Sequence, residues 1–152
     1  MASQFIHITL PDGTRKQVPA GCTVREALTP EGGRLDAKVL AAKINGEPRD
    51  LSCPLEQDAT IEPLTFESAE GREVYRHSST HIMAQAVKEV FPTAQLTIGP
   101  ALDDGFYYDF AFDRPFTPED LEKIEARAIE IMKSGLTVTR SELSKQDAIK
   151  FF

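Results

Sequence analysis

Two histidines one helical turn apart, His77 and His81, have the spacing in this chain that best suits chemistry. They lie in YRHSSTHIMAQAVKEVFP, residues 75–92, whose apolar side chains recur at helical spacing. Because residues i and i+4 are neighbours on a helix surface, the two imidazoles could share a metal ion, a water molecule or a ligand. Both face away from the predicted apolar stripe, which consists of Tyr75, Ser79, Ile82, Met83, Ala86 and Val90.

This histidine spacing leaves several interpretations open. Zinc usually takes three or four protein ligands, so His77 and His81 would bind it weakly, with water completing the shell. The segment also lacks the glutamate of the HExxH motif of zinc proteases. The alternative without chemistry is a pair of solvated histidines on a polar helix face, which Gln85 and Lys88 extend. Residues 78–80 form no GxSxG motif, so packing is their simpler role.

The composition is that of an ordinary soluble globular protein, with 41% hydrophobic and 27% charged residues and a net charge of −7. Divided after Thr65, the chain carries −2 and −5, so neither half is predicted to bind nucleic acid independently, and we expect no DNA partner. No signal peptide or apolar run of about 20 residues is present, which predicts a cytoplasmic protein without membrane contact. Cys22 and Cys53 fit no CxxC motif and are expected to be reduced thiols.

Residues 1–65 alternate apolar and polar positions between turn signals, which predicts a small α+β domain. The predicted order is ββαββ with a final strand, and His7 on the first strand is expected to be structural or exposed. The predicted elements are a hairpin with strands at 6–10 and 15–18, a capped helix from Thr23 to Leu28, a further helical turn at 35–40, a strand at 41–44 entering an Asn45-Gly46 hairpin, and a strand at 59–64.

From residue 66 onward the apolar residues recur at helical spacing instead of alternating. This change predicts a second domain with a boundary between Thr65 and Gly71. Phe151-Phe152 ends a helix of two turns and should pack against something that follows, so this domain looks cut short; folding back onto its own core is the alternative. The predicted elements are a long helix ended by Pro92, a strand at 95–98, a buried strand at 106–112 with aromatics on both faces, a helix from Thr117 to Gly135 with its stripe at Leu121, Ile124, Ala128 and Ile131, a strand at 136–140, and a helix capped by Ser144.

Three motifs in the first 65 residues, ITLPDGT, VREAL and KINGE, resemble a TGS domain, the ubiquitin-like β-grasp module of threonyl-tRNA synthetases, certain GTPases and stringent-response enzymes. The later motifs RHSSTHIMAQAVKEVFP and IGPALDDGFYYDF, followed by a capped acidic helix, resemble the second N-terminal domain of bacterial-type threonyl-tRNA synthetases. The resemblance implies an α+β protein with a β-grasp domain at 1–65 and part of an α/β editing domain at 66–152.

In that family the second domain hydrolyses serine mistakenly attached to threonine tRNA, so the resemblance implies an editing function. His77 and His81 match the HxxxH element, and Tyr108 matches the second tyrosine of the GFYYD element near the editing pocket, which leaves Tyr107 as a packing residue. A neutral histidine can take a proton from water near neutral pH while a second orients that water. Threonine and serine differ by one methyl group, worth only about 1–3 kcal/mol in binding, so a hydrolytic second sieve is chemically sensible.

The family completes its pocket with a CxxxH element, which this sequence does not contain: both cysteines lie before residue 65 and no histidine follows His81. We therefore expect an N-terminal fragment of a threonine–tRNA ligase that is inactive by itself, holds no cofactor and has threonine tRNA as its partner. ATP, zinc and a homodimer contact are expected in the aminoacylation core, outside these residues. A non-catalytic RNA-binding or regulatory TGS protein and a histidine-based metal-binding protein are the alternatives.

Overall fold

A computed structural model describes residues 4–102 and 104–151, and its content is mixed α+β, as the sequence predicts. No helix in these described ranges is long and apolar enough to cross a membrane. The elements in chain order are β1 (Phe5–Thr9), β2 (Arg15–Pro19), α1 (Val24–Leu28), β3 (Ala41–Ile44), β4 (Glu47–Arg49), β5 (Ala59–Leu64), α2 (Ala69–Val90), β6 (Gln95–Leu96), β7 (Phe110–Ala111), α3 (Pro118–Ser134) and α4 (Lys145–Phe151).

The first five strands form one mixed sheet in the order β2-β1-β5-β3-β4. The central pair, β1 and β5, is parallel, and the other neighbours are antiparallel. Asn45 and Gly46 link β3 to β4 with φ values of +52° and +88°, the left-handed backbone that a two-residue type I′ hairpin turn requires. The predicted hairpins and the ββαββ order with a final strand are confirmed, and the topology is a β-grasp.

Helix α1 closes this sheet over an apolar core. The predicted capping box is present, because Thr23 Oγ1 accepts the N–H of Glu26 at 3.2 Å and the Glu26 carboxylate accepts the N–H of Thr23 at 2.7 Å. Cys22 and Cys53 are free, half-buried thiols beside the core, and burial raises the pKa of the Cys22 thiol. The core consists of Ile6, Ile8, Val24, Ala27, Ala42, Leu51, Leu55 and Ile61.

Two locally predicted elements are wrong. The expected helical turn at 35–40 is instead a turn closed by Asp36, whose Oδ1 accepts the N–H of Lys38 at 2.9 Å while its carbonyl accepts the N–H of Val39 at 3.0 Å. Residues 136–140 form no strand, and within the described ranges no neighbouring strand pairs with them, so their alternation has no ladder to join.

The described residues group into two compact units. The first contains the chain up to His81 with Thr97–Asp109, and the second contains Ile82–Leu96 with the chain from Phe110 onward. Helix α2 therefore supplies residues to both units. The domain boundary predicted from the sequence at residue 65 concerns parts that fold independently, and it stays a prediction.

Inside the second unit, α3 is built as the sequence predicts. Thr117 and Asp120 form a capping box at its start, and Gly135 ends it in the left-handed conformation at φ +62°. Leu121 of the predicted stripe is exposed, so the stripe is only partly buried. Ser144 caps α4 by accepting the N–H of Asp147 at 3.2 Å. The buried core of this unit consists of Ala86, Val87, Ala94, Ile124 and Ile131.

The aromatic segment at 106–112 is less regular and less buried than predicted. Ladder pairing is limited to Phe110–Ala111 opposite Gln95–Leu96, and Thr97 and Ile98 extend it through backbone bonds to Asp109. The even-numbered residues of the segment are half-buried and the odd-numbered ones are exposed. The prediction of a buried strand is wrong, because a two-stranded ladder covers only one side of each strand. Asp103 of the predicted turn and Phe152 lie outside the described residues.

Candidate functional site

The helix that carries the histidines begins at the end of β5. Ser68 Oγ donates to the carbonyl of Thr65 at 2.9 Å and accepts the N–H of Gly71 at 3.1 Å. A Cβ on Gly71 would lie 1.9 Å from that same carbonyl oxygen, so only glycine allows the helix to start this close to the strand. Glu70 and Lys43 of β3 form an ion pair at 2.6 Å. These contacts fix the first turns of α2 to the β-grasp sheet.

The structure brings His77 and His81 together as predicted. Their Nε2 atoms lie 3.0 Å apart, and the ring centroids are 4.7 Å apart at an interplanar angle of 78°. Both histidine side chains are exposed. The pair is therefore a preformed, solvent-accessible couple of imidazoles.

The short Nε2···Nε2 distance constrains the protons of the pair. A hydrogen bond between two ring nitrogens needs one N–H donor and one lone pair, so only one of the two Nε2 atoms is protonated in this arrangement. When both rings are neutral, the accepting ring carries its proton on Nδ1, and the donating ring has its free lone pair on Nδ1. The pair thus retains one free imidazole lone pair, on Nδ1 of the donating ring.

The other polar residues predicted on the histidine face of α2, Gln85 and Lys88, make hydrogen bonds to residues other than the two histidines. Gln85 donates to Glu89 at 2.9 Å, and Lys88 Nζ donates to the carbonyls of Pro92 at 2.8 Å and Ala94 at 3.1 Å, in the loop that follows α2. Tyr75 of the predicted apolar stripe is half-exposed and packs edge-to-face on Phe66, with ring centroids 5.2 Å apart.

The hydroxyl groups between the histidines belong to the helix itself. Ser79 Oγ donates to the carbonyl of Tyr75 at 2.8 Å, and the buried Thr80 Oγ1 donates to the carbonyl of His77 at 2.7 Å. A hydroxyl engaged with its own helix backbone is poorly presented as a nucleophile. The geometry agrees with the packing role that the sequence predicts for these residues.

Tyr108 belongs to the same compact unit as the histidines. Its ring lies against Gly99, where a Cβ would be 2.1 Å from Tyr108 Cδ2. Tyr107, predicted to be the packing residue, is 49% exposed, so the expectation that it packs is wrong. Successive side chains of an extended segment point to opposite sides, and here Tyr108 has the inner position.

The pair fits part of a metal site. Two nitrogens bound to one tetrahedral zinc at about 2.0–2.1 Å lie about 3.3–3.4 Å apart, so the rings would need to separate by only a few tenths of an ångström. Among the described residues, however, no group of three or more His, Cys, Asp and Glu side chains is placed to hold a metal. The donor set that the structure describes amounts to two ligands.

Sequence reasoning missed Arg76 and Gly99. Arg76 Nη1 donates to the carbonyl of Leu102 at 3.0 Å, across 26 residues of sequence. The signal for Gly99 was a glycine three residues after the end of β6, but nothing in the local sequence identified Tyr108 as the ring that it faces. Arg76 had only its position next to His77 as a signal.

Comparison with known proteins follows the two-part organisation of the chain. The TGS domain family model matches residues 6–65. A threonine–tRNA ligase from Symbiobacterium thermophilum is 52% identical over 150 residues, which are 99% of this chain and 23% of that relative. Threonine–tRNA ligases from Citrifermentans bemidjiense and a Geobacter species are each 48% identical over 147 residues, 97% of this chain and 23% of each relative. The chain thus spans about a quarter of the length of these relatives.

Proposed function

We propose that this chain, a TGS domain followed by a region homologous to the N-terminal part of threonine–tRNA ligases, is the N-terminal region of such an enzyme and carries one half of its editing site. The homology extends over 99% of the chain and crosses from the TGS match into the histidine-bearing helix. The region contributes hydrolysis of serine misattached to threonine tRNA, while ligation of threonine belongs to the rest of the longer enzyme.

The observation that carries this proposal is the 3.0 Å contact between the histidine rings. The Nδ1 lone pair of the donating ring takes a proton from water, whose oxygen attacks the carbonyl carbon of the seryl ester. The imidazolium that forms donates its Nε2–H to the partner ring, a charge-assisted hydrogen bond stronger than the neutral one. Collapse of the tetrahedral intermediate breaks the bond between the carbonyl carbon and the ribose oxygen. The ribose oxygen takes the proton from the imidazolium and leaves as a hydroxyl, which releases serine.

The pair needs further groups to hold the ester. Two imidazoles on one helix can hold a water and accept its proton, but they leave the ester carbonyl without a fixed donor. We assign Tyr108 to the same site, and the CxxxH element that the family resemblance implies completes that site in the longer protein. The 152-residue chain is therefore close to inactive by itself.

The partners follow from the same proposal. Threonine tRNA is the macromolecular substrate, bound in the cytoplasm with no DNA or membrane contact. No cofactor is required at the histidine pair. ATP, the zinc of the ligase and the homodimer contact belong to the aminoacylation core of the longer enzyme.

Replacement of both histidines tests the editing assignment. In the longer enzyme, H77A/H81A should lower deacylation of seryl-tRNA by at least about 100-fold, because general acid–base catalysis contributes about 10²–10⁴-fold. Threonine attachment should remain unchanged, and serine should accumulate on the tRNA. The matched control is His7→Ala, which removes an exposed histidine of β1. Full deacylation by the double variant would remove the catalytic role of the pair.

The near fit of the pair to a metal supports a second candidate function, a metal-binding protein. Because two histidines fill only half of a tetrahedral shell, we expect zinc to bind the 152-residue chain weakly, with a Kd above about 1 µM. Titration calorimetry with zinc chloride measures this. A sub-micromolar affinity that His77→Ala abolishes would favour the metal-binding function over editing.

A further inference from the structure

We propose that Arg76 is a positioning residue that holds the tyrosine-bearing segment, residues 97–109, against α2, the helix that carries the histidine pair. Its Nη1 donates to the carbonyl of Leu102 at 3.0 Å, and its neighbour in sequence is His77. One side chain thus links the backbone that carries Tyr108 to the helix that carries both imidazoles. The effect on catalysis rests on the proposed editing function; the effect on the segment does not.

The segment can transmit a constraint from Leu102 to Tyr108. The N–H of Leu102 donates to Gly105 at 2.8 Å, and an isolated bridge pairs Ala101 with Phe106, which close the tip of the hairpin. At the other end of the segment the N–H of Asp109 donates to Ile98 at 2.9 Å. Tyr108 lies between these two fixed points.

An arginine suits this role because little else fills the space around the contact. A cavity of about 540 Å³ lies between the first turns of α2 and the hairpin tip, lined by Ala69, Glu70, Arg72, Glu73, Arg76, Ala101 and Leu102. Apolar packing across such a space is weak, since dispersion contacts need atoms at about 3.5–4 Å. A charged donor on a long side chain reaches the Leu102 carbonyl across it, and hydrogen bonds to charged groups are stronger than neutral ones.

Loss of this contact should act on the chemical step more than on binding. Catalytic groups displaced by about 1 Å can cost about 100-fold in rate. In the longer enzyme we expect Arg76→Ala to lower kcat for deacylation of seryl-tRNA by about 10- to 100-fold, with KM changed by less than about threefold. Arg76→Lys retains a cationic donor and should recover part of the loss.

Amide hydrogen exchange of the 152-residue chain tests the structural part without any activity. Arg76→Ala should speed exchange of the Leu102 amide by about tenfold, and Arg76→Lys by less. The matched control is Arg72→Ala, one turn earlier on α2, because Arg72 Nη1 donates to the carbonyls of Phe66 and Glu67 and not to the hairpin. Unchanged protection of the β1 and β5 amides shows that each variant is folded.

The outcomes separate the two proposals. Equal effects of Arg76→Ala and Arg72→Ala on the Leu102 amide would overturn the positioning role. A wild-type longer enzyme without deacylation would refute the editing function and with it the catalytic part of this inference, and exchange would still decide whether Arg76 holds the hairpin. An active enzyme whose Arg76→Ala variant keeps its kcat would refute the catalytic part alone.

Discussion

The β-grasp sheet and the helical region from Pro118 onward use their apolar residues differently. In the sheet, the large side chains of Ile6, Ile8, Ile61 and Leu64 are almost fully buried. In the helical region, Ile124 and Ile131 are buried, but a larger set is more than one-third exposed: Leu121, Ile129, Met132, Leu136, Val138, Leu143, Ile149 and Phe151. The sheet thus buries most of its large apolar side chains, whereas most of those described from Pro118 onward are exposed.

This difference indicates where each region obtains its stability. We interpret these eight exposed large apolar side chains as surface that contacts further polypeptide. The relatives are about four times as long as this chain, so they contain polypeptide that could cover such a surface. We therefore expect substitutions in the sheet to be costly in this chain, and substitutions on the exposed face of α3 and beyond to become costly only in the longer protein.

The largest effect is expected for Ile8→Ala in the centre of the sheet. Ile8 is 0% exposed, and truncation of such a residue removes its burial and leaves a cavity. The free energy of unfolding of the β-grasp unit should fall by about 3–4 kcal/mol. Urea unfolding followed through the β1 and β5 amide signals measures it.

Ile149→Ala in α4 is the matched control for Ile8→Ala, because it makes the same chemical change at an exposed position. It should change the free energy of unfolding by less than about 0.5 kcal/mol. Similar costs for the two substitutions would mean that the two regions do not differ in the way their exposures indicate.

The same contrast explains which elements the sequence could predict. Elements defined by neighbours in sequence were predicted correctly: the Asn45-Gly46 hairpin and the N-caps at Thr23 and Thr117. The strand at 136–140 was wrong because its alternation requires a partner strand, which no residue in the described part of the chain supplies. The turn at 35–40 was wrong because Asp36 bonds its own backbone, a local competitor that helical periodicity does not register.

The candidate site shows the same distinction between contacts that are local in sequence and contacts that depend on tertiary structure. The pairing of His77 with His81 follows from the i, i+4 geometry of a helix and was predictable. The contacts of Arg76 with Leu102 and of Gly99 with Tyr108 depend on how a loop returns to the chain before it, so periodicity gave no signal for them. Helix geometry thus predicts that the two histidines are neighbours, and tertiary structure determines the contacts of Arg76 and Gly99.

Gly99→Ala should have the next largest effect and tests whether the tyrosine segment is closely packed. A Cβ at residue 99 would lie 2.1 Å from Tyr108 Cδ2, so the ring must move. Overpacking of this kind costs about 1–3 kcal/mol. We expect faster amide exchange at Thr97 and Asp109. Gly105→Ala is the control, since nothing lies within 4 Å of its Cβ position; equal effects of both substitutions would contradict close packing at Gly99.

A smaller effect is expected at the Arg114–Asp120 ion pair of the second unit. The Arg114 guanidinium, at 2.5 Å, and the N–H of Thr117 hold the pKa of Asp120 far below its ordinary value. A carboxylate whose pKa is lowered by folding stabilises the folded state above its unfolded pKa of about 3.9, and this contribution is lost as the pH falls below that value.

Asp120→Asn should therefore lower the stability of the second unit at pH 7 and flatten its loss of stability below about pH 4. Thermal unfolding of both proteins between pH 2 and pH 7, followed through α3 amide signals, measures the difference. Glu125→Gln, which neutralises an exposed carboxylate on the same helix, should leave the pH profile close to that of the wild type. If Asp120→Asn lost stability below about pH 4 as steeply as the wild type, the ion pair with Arg114 would not stabilise the unit.

The smallest effect, and the sharpest test of the comparison, is expected for Val138→Ser. Val138 is 91% exposed, so the substitution should change the stability of the 152-residue chain by less than about 0.5 kcal/mol. If further polypeptide covers this face in the longer enzyme, the same substitution should cost about 1–2 kcal/mol there, because full burial of a valine side chain contributes about that much. Thermal unfolding of both lengths, with and without the substitution, shows whether the cost of the substitution depends on the additional polypeptide. A negligible cost in both lengths would mean that residue 138 stays exposed in the longer protein as well.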